Sequence, residues 1–321
     1  MVYNYDPIKR ELQISRFLKS KGCTALMHAI LGDNEKRVKY LLKKFPERIN
    51  FKNDLGWTAL HIVALNSKLW NLFKYLKLLL ESDADVNIQD KYGYTALMIA
   101  ACDSNTDSNL ETVKILLEKG ANVNIQDNDG YTALMRAARY SNTDSNPETV
   151  KILLGFGADV NIQNKDGWTA LMLSARNSNT DSNLETVKIL LEKGANVNIQ
   201  DEDGWTALML AVRFSNTDSN LETVKILLEF GADPTIKDND GDDVFEETKI
   251  YYTMLKISDE AIIDKTDIDE EHQCSICFGY TDKKYVLVPC GHVKFCNMCI
   301  TKFKDCPLCR KKIQQIVKIY Q

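Results

Sequence analysis

Between residues 20 and 245 the apolar positions follow two alternating patterns. One is a short, almost wholly apolar run, TALMIAAC at Thr95–Cys102 and its copies. The other is LETVKILLEKG at Leu110–Gly120, whose apolar residues recur at helical spacing. That second pattern is an amphipathic helix with one buried stripe. The first is a short helix with Leu, Met and the paired alanines on one face, the alanines letting neighbouring helices approach. Polar punctuation separates the two. A glycine precedes each short run, in Asp-Gly from Asp129-Gly130 onward, and is free to take the positive φ of a tight turn. Threonine then opens the run as an N-cap. SNTDSN breaks it, Ser108-x-x-Glu111 has the form of a capping box, and Pro147 stands where a first-turn proline is tolerated. Gly120, Gly157, Gly194 and Gly231 end the second helix in the left-handed region. The residues that follow extend as a hairpin-like finger toward the next turn.

This two-helix unit repeats. Thr24, Thr58, Thr95, Thr132, Thr169 and Thr206 are spaced first 34 and then 37 residues apart, and a weaker copy starts at Asp240-Gly241. A single unit cannot bury its own apolar face, so the units must stack. The first and last are caps, and Lys249–Ile257 predicts a terminal helix over the final face. SNTDSN stands at 104–109, 141–146, 178–183 and 215–220 and reads as a longer polar turn. As a calcium loop it lacks a glutamate placed to close a bidentate site.

The units resemble the ankyrin repeat, whose TPLHxAA…VxxLLxxGADVN pattern is visible across about residues 20 to 245. Ala59, Ala96, Ala133, Ala170 and Ala207 replace the usual proline, and the period is longer. The resemblance implies a mainly α fold, a solenoid of about six to seven helix pairs, with fingers and first helices forming a concave binding face. Trp57, Tyr94, Tyr131, Trp168 and Trp205 precede the threonines and would stand on that face. Arg139, Arg176 and Arg213 share one position of the first helix. Exposed aromatics with arginines suit a protein-binding surface, and the rings could equally pack between fingers as part of the fold. His28 and His61 are read as structural histidines that bond within and between fingers. Cys23 and Cys102 are read as unreactive.

The chain of 321 residues is 44% hydrophobic and 26% charged with a formal net charge of −5, which gives no footprint for nucleic acid. No apolar run is long enough to span a bilayer, and the N-terminal segment lacks the apolar core of a signal peptide. Neither a nucleic acid nor a membrane is therefore expected as a partner. The expected location is the cytoplasm, a reducing compartment in which C-x2-C pairs serve zinc more often than disulfides. Residues 258–271 are acidic and read as a linker, and from Cys274 the balance turns basic. The expected division is a solenoid at 1–248, a capping helix and acidic linker at 249–271, and a small zinc-stabilised α+β domain with a tail at 272–321.

From Cys274 to Cys309 the sequence reads C-x2-C-x12-C-x-H-x3-C-x2-C-x6-C-x2-C. Eight sulfur and nitrogen donors suit two tetrahedral Zn2+ ions, paired sequentially or interleaved. The spacing is similar to a RING finger of C3HC4 type, and its surroundings resemble the RINGs of inhibitor-of-apoptosis proteins and Mind bomb. The resemblance implies interleaving, with one ion on Cys274, Cys277, Cys296 and Cys299 and the other on Cys290, His292, Cys306 and Cys309. It also implies a groove for a ubiquitin-conjugating enzyme at Ile276, Phe303, Pro307 and Leu308. Arg310 takes the linchpin position that bonds both that enzyme and ubiquitin. No residue would act covalently, because positioning does the work. The expectation is a RING-type ubiquitin ligase whose solenoid recruits a protein substrate. The alternative is a non-catalytic adaptor whose zinc domain mediates assembly. Ile313, Ile316, Val317, Ile319 and Tyr320 form an apolar tail, which is either a RING homodimer contact or a strand on its own RING. The Asn-, Lys-, Ile- and Asp-rich tandem repeats resemble those of giant DNA viruses or protists, which would make host proteins the substrates.

Overall fold

The computed structural model describes residues 22–66, 72–105, 110–214, 219, 221–244, 284–288 and 315–319. The chain divides into two units, Met1–Lys165 and Asp166–Gln321. The first holds four helix pairs: α1 (Ala25–Leu31) with α2 (Glu35–Lys44), α3 (Ala59–Asn66) with α4 (Phe73–Glu81), α5 (Ala96–Cys102) with α6 (Leu110–Glu118), and α7 (Ala133–Arg139) with α8 (Pro147–Gly155). The second holds α9 (Ala170–Arg176) with α10 (Leu184–Glu192) and α11 (Ala207–Arg213) with α12 (Leu221–Glu229). It also contains two strands, β1 (Lys284–Val288) and β2 (Gln315–Ile319). The terminal helix expected at 249–257 lies outside the described residues.

The first helices pack most closely in the middle of the first unit. Every residue of α3 and of α5 is buried. Ala100, Ala101, Ala137 and Ala138 have no exposed surface. A one-carbon side chain there lets α5 approach both α3 and α7. The second helices bury one stripe, including Val113 and Leu116, Val150 and Leu153, and Val187 and Leu190, all fully covered. Each such leucine contributes roughly 1.5–3 kcal/mol.

The threonine caps form as expected. Thr95, Thr132, Thr169 and Thr206 accept from the backbone amides of Met98, Met135, Met172 and Met209. The methionine sulfur in turn accepts from the threonine amide, as at Met27, Met172 and Met209, each at 3.4 Å. His61 takes this place in the second repeat. Its Nδ1 accepts from the Thr58 amide at 3.2 Å, so Nε2 carries the proton and donates to the Tyr94 carbonyl at 3.1 Å. Burial holds the imidazole below its ordinary pKa. The bond between fingers is confined to His61. His28 follows Met27 instead of replacing it and is exposed.

The second helices do not begin with the predicted capping box. Ser108 lies outside the described residues, and its counterparts Ser145 and Ser182 are buried. Asn146 and Asn183, one residue on, accept from the Thr149 and Thr186 amides and are the caps. The serine is engaged elsewhere. Ser104 Oγ lies 3.2 Å from Ser145 Oγ and 2.6 Å from Thr149 Oγ1. In the second unit Ser178 repeats this with Ser219 at 3.1 Å and Thr223 at 2.6 Å. The Asn105 amide adds a bond to the Asp144 carbonyl at 2.9 Å. The inserts are therefore not simply longer polar turns, since neighbouring copies interlock through buried hydroxyls.

On the opposite side the fingers are successions of turns, with no strand among the described residues. Two glycines show why the chain needs this residue. Gly93 has φ +85, and a Cβ there would lie 2.5 Å from the Asn128 amide nitrogen of the next finger. Gly120, at φ +84, has nothing within 4 Å. The first serves backbone conformation and close approach together, the second conformation alone.

Candidate interaction face and metal centre

Each finger turns on an Asp or Asn side chain. Asp90 Oδ1 accepts from the amides of Tyr92 (2.8 Å) and Tyr94 (2.9 Å). Asp127 does the same for Asp129 (3.0 Å) and Tyr131 (2.8 Å). Asp201 does so for Asp203 (3.1 Å) and Trp205 (2.7 Å). Burial pushes the Asp201 carboxyl up, against those two amide bonds.

The second carboxylate oxygen needs its own donor. For Asp90 it comes from the preceding repeat, where Trp57 Nε1 donates to Oδ2 at 2.9 Å. Asp127 follows Tyr94, which has no indole N–H. There Arg136 supplies the donor, its Nη2 lying 2.6 Å from Asp127 Oδ2. The pair is deeply placed, with side chains 13% and 1% exposed. Its guanidinium stacks on Tyr94 (4.9 Å) and Tyr131 (4.2 Å). Burial works against the Arg136 charge, but Tyr94 and Asp127 outweigh it and hold the group above its ordinary pKa. The sequence follows the same logic elsewhere. Trp168 precedes Asp201 and Trp205 precedes Asp238, whereas Tyr131 and Cys23, which offer no such donor, precede Asn164 and Asn53.

Trp57, Tyr94, Tyr131, Trp168 and Trp205 are all half-buried. Their first-helix neighbours stack on aromatic faces: Arg139 over Tyr140 at 5.2 Å, Arg176 over Trp168 at 5.9 Å and Phe214 at 4.6 Å, and Arg213 over Trp205 at 4.8 Å. Arg139 and Arg176 are half-buried and Arg213 is exposed. The rings pack within the fold and keep part of their surface open, next to arginines. The sequence reading did not single out the Arg136–Asp127 pair. Its visible signal is that Asp127 follows a Tyr, where the other ring positions pair Trp with Asp or Tyr with Asn, and that Arg136 stands where the later repeats have Leu173 and Leu210.

The proposed zinc ligands Cys274, Cys277, Cys290, His292, Cys296, Cys299, Cys306 and Cys309 lie outside the described residues, as do Ile276, Phe303, Pro307, Leu308 and Arg310. Two strands of this region are described. β1 and β2 pair antiparallel, with Lys284 opposite Ile319, Val286 opposite Val317 and Val288 opposite Gln315. The tail from Gln315 to Ile319 thus pairs with a segment of its own chain that lies between the second and third ligands in sequence. Among the described residues no helix is long and apolar enough to cross a membrane.

Comparison with known proteins matches residues 4–90, 70–147 and 141–238 to the family of ankyrin repeats, and residues 270–316 to the C3HC4-type zinc finger, or RING finger. A RING finger implies bound zinc. In structure the chain is similar to the ankyrin repeat domain of Bcl-3, a member of the IkappaB family. The two are 27% identical with a TM-score of 0.59, over 71% of this chain and 94% of that one. Over the RING alone it is similar to several ubiquitin ligases. It is 35% identical over 57 residues to the E3 ubiquitin-protein ligase IAP-3 of Orgyia pseudotsugata multicapsid polyhedrosis virus. It is 42% identical over 57 residues to the E3 ubiquitin-protein ligase SPL1 of Arabidopsis thaliana. These matches cover 18% and 17% of this chain and only 21% and 16% of the two relatives.

Proposed function

The chain belongs to the ankyrin-repeat family and carries a C-terminal C3HC4 RING finger, and from that premise we propose that it is a RING-type ubiquitin ligase. One observation carries the reading: the segment matched as a RING keeps all eight ligand positions, and its relatives include ubiquitin ligases. Seven thiolates and one imidazole are the donor set of two tetrahedral zinc ions. Cys274, Cys277, Cys296 and Cys299 would hold one ion, and Cys290, His292, Cys306 and Cys309 the other. Bound zinc supplies folding free energy to a domain too small for a large core.

The chain's own residues then act by positioning. Ile276, Phe303, Pro307 and Leu308 offer an apolar groove to the conjugating enzyme. Arg310 donates from its planar fork to that enzyme and to its thioester-linked ubiquitin together. Holding the thioester in one attack geometry converts a loose encounter into an effectively unimolecular step. The solenoid, residues 1–248 in this reading, brings a substrate protein through Trp57, Tyr94, Tyr131, Trp168, Trp205, Arg139, Arg176 and Arg213. Residues 249–271 link it to the RING at 272–321. The reading places the chain in the cytoplasm, where thiols stay reduced for zinc. A RING homodimer would use an outer edge of the β1–β2 ribbon, since each strand has one partner among the described residues.

The test is ubiquitin-chain formation with a panel of conjugating enzymes. Wild type is expected to form chains, and Ile276→Ala and Arg310→Ala to lose them while retaining zinc. A zinc-loaded wild type that forms none with any conjugating enzyme refutes the reading.

A further inference from the structure

The first helix of the fourth repeat carries two arginines three positions apart, hence on one face. They differ in how their charge is met. Arg136 is neutralised by Asp127 at 2.6 Å and clasped by two tyrosine rings. Arg139 is half-buried, and its Nε is fully covered yet bonds to no acceptor. Among the described residues it makes no ion pair and no hydrogen bond, only the stack on Tyr140 at 5.2 Å. A partly desolvated charge without a counter-ion is costly, and a buried donor left unbonded adds to the cost. Stacking spends only the face of the guanidinium and leaves its edge donors available. The second unit contains an independent case. Arg176, at the equivalent repeat position, lies over Trp168 and Phe214 and makes no ion pair among the described residues.

Two half-buried cations, each steadied on aromatic rings and each lacking an anion, are what an acidic partner would complete. We infer that Arg139 takes an Asp or Glu side chain of a carboxylate-bearing segment of the protein partner, and that Arg176, in the second unit, is a separate site of the same kind. An anion suits these sites better than a neutral carbonyl. It supplies the missing counter-charge to the part of the guanidinium that is still open, and charge-assisted bonds to guanidinium are about twice as strong as neutral ones. The fold sets up the selectivity in advance, because Tyr140 at one site and Trp168 with Phe214 at the other hold the guanidinium plane before the partner arrives. This deepens the recruitment role proposed above and rests on that reading of the face.

The test offers the full-length chain libraries of twelve-residue peptides with random flanks and a fixed central Glu, Gln or Lys. The Glu pool is expected to be retained over the Gln and Lys pools. Peptides selected from it should bind about tenfold more weakly when their Glu is changed to Gln. For each such peptide one of Arg139→Gln and Arg176→Gln should weaken binding comparably, and in that variant the Glu-to-Gln change in the peptide should then cost little. Arg139→Lys, which keeps the charge without the planar fork, should recover part of the preference. Equal retention of Glu and Gln pools by wild type, or a Glu preference untouched in both Gln variants, overturns the inference. Ubiquitin transfer by wild type is measured separately. Its absence alongside an intact Glu preference removes the ligase reading and leaves this one standing.

Discussion

The finger side and the insert side of these repeats are both fastened to their neighbours by side-chain hydrogen bonds, but under different constraints. The fingers use charge. Each carboxylate must find a donor for its second oxygen, and the donor comes from the previous repeat (Trp57 to Asp90) or from the same one (Arg136 to Asp127). Two solutions are available, so the residues differ from finger to finger, but they differ together. The inserts use neutral hydroxyls packed at 2.6–3.2 Å. The four copies of SNTDSN read identically. A charged site tolerates change if the change is paired, whereas a close-packed neutral site tolerates little.

The most forceful way to break this contrast is Arg136→Leu, which installs the residue found at Leu173 and Leu210. It strands a carboxylate that is 1% exposed and should cost about 3–5 kcal/mol in denaturant unfolding. Adding Asp127→Asn, the solution present at Asn164, should restore most of it. A double variant no more stable than the single one would mean that donors are not being matched.

Close approach comes next. Gly93→Ala and Gly120→Ala impose the same left-handed strain on alanine, about 1–2 kcal/mol. Only the first also meets a backbone nitrogen at 2.5 Å. Its loss of thermal stability should be at least about twice that of Gly120→Ala, and equal losses would show that the fingers yield.

On the insert side, Ser178→Ala should cost about 1–3 kcal/mol, because it removes a hydroxyl that the buried Ser219 and Thr223 side chains both bond. A loss near zero would return the insert to the status of a plain surface turn.

The smallest effect depends on pH. Burial lowers the His61 pKa, so below its ordinary value of about 6.5 the unfolded chain binds more protons than the folded one. The stability it supports is complete above that value and falls as pH drops toward the folded pKa, by at most about 1.4 kcal/mol per pH unit. His61→Met restores the residue used in the other repeats and should flatten the melting temperature between pH 5 and 7. An unchanged slope would assign the acid sensitivity to other groups.

Local features were legible in the sequence. Threonine caps, left-handed glycines and the two kinds of helix depend on near neighbours in the chain, and they form as the pattern predicts. Misreadings arose where a residue answers to one some forty positions away. Ser145 looks like half of a capping box until Ser104 is brought beside it, and Asn146 then caps the helix. Arg136 drew no reading from the sequence, and only its contact with Asp127 shows it to be a counter-ion. The ring positions were legible as positions, but their half-buried state was not, because it depends on stacking between repeats. The zinc ligands rest on their spacing and on the RING match, and they lie outside the described residues.

The Trp57–Asp90 bond also has a consequence for how such a chain can be recombined. Its donor and acceptor lie in successive repeats, so the interchangeable cassette is not the stretch from one threonine to the next. A splice made between a ring and the acceptor it serves must join Trp to Asp, Tyr to Asn, or Tyr to an Asp that brings its own arginine, as Asp127 brings Arg136. A splice made just past the acceptor carries the matched pair intact. Repeats with nearly the same text are thus not freely exchangeable parts, and the permitted crossovers are set by a single N–H.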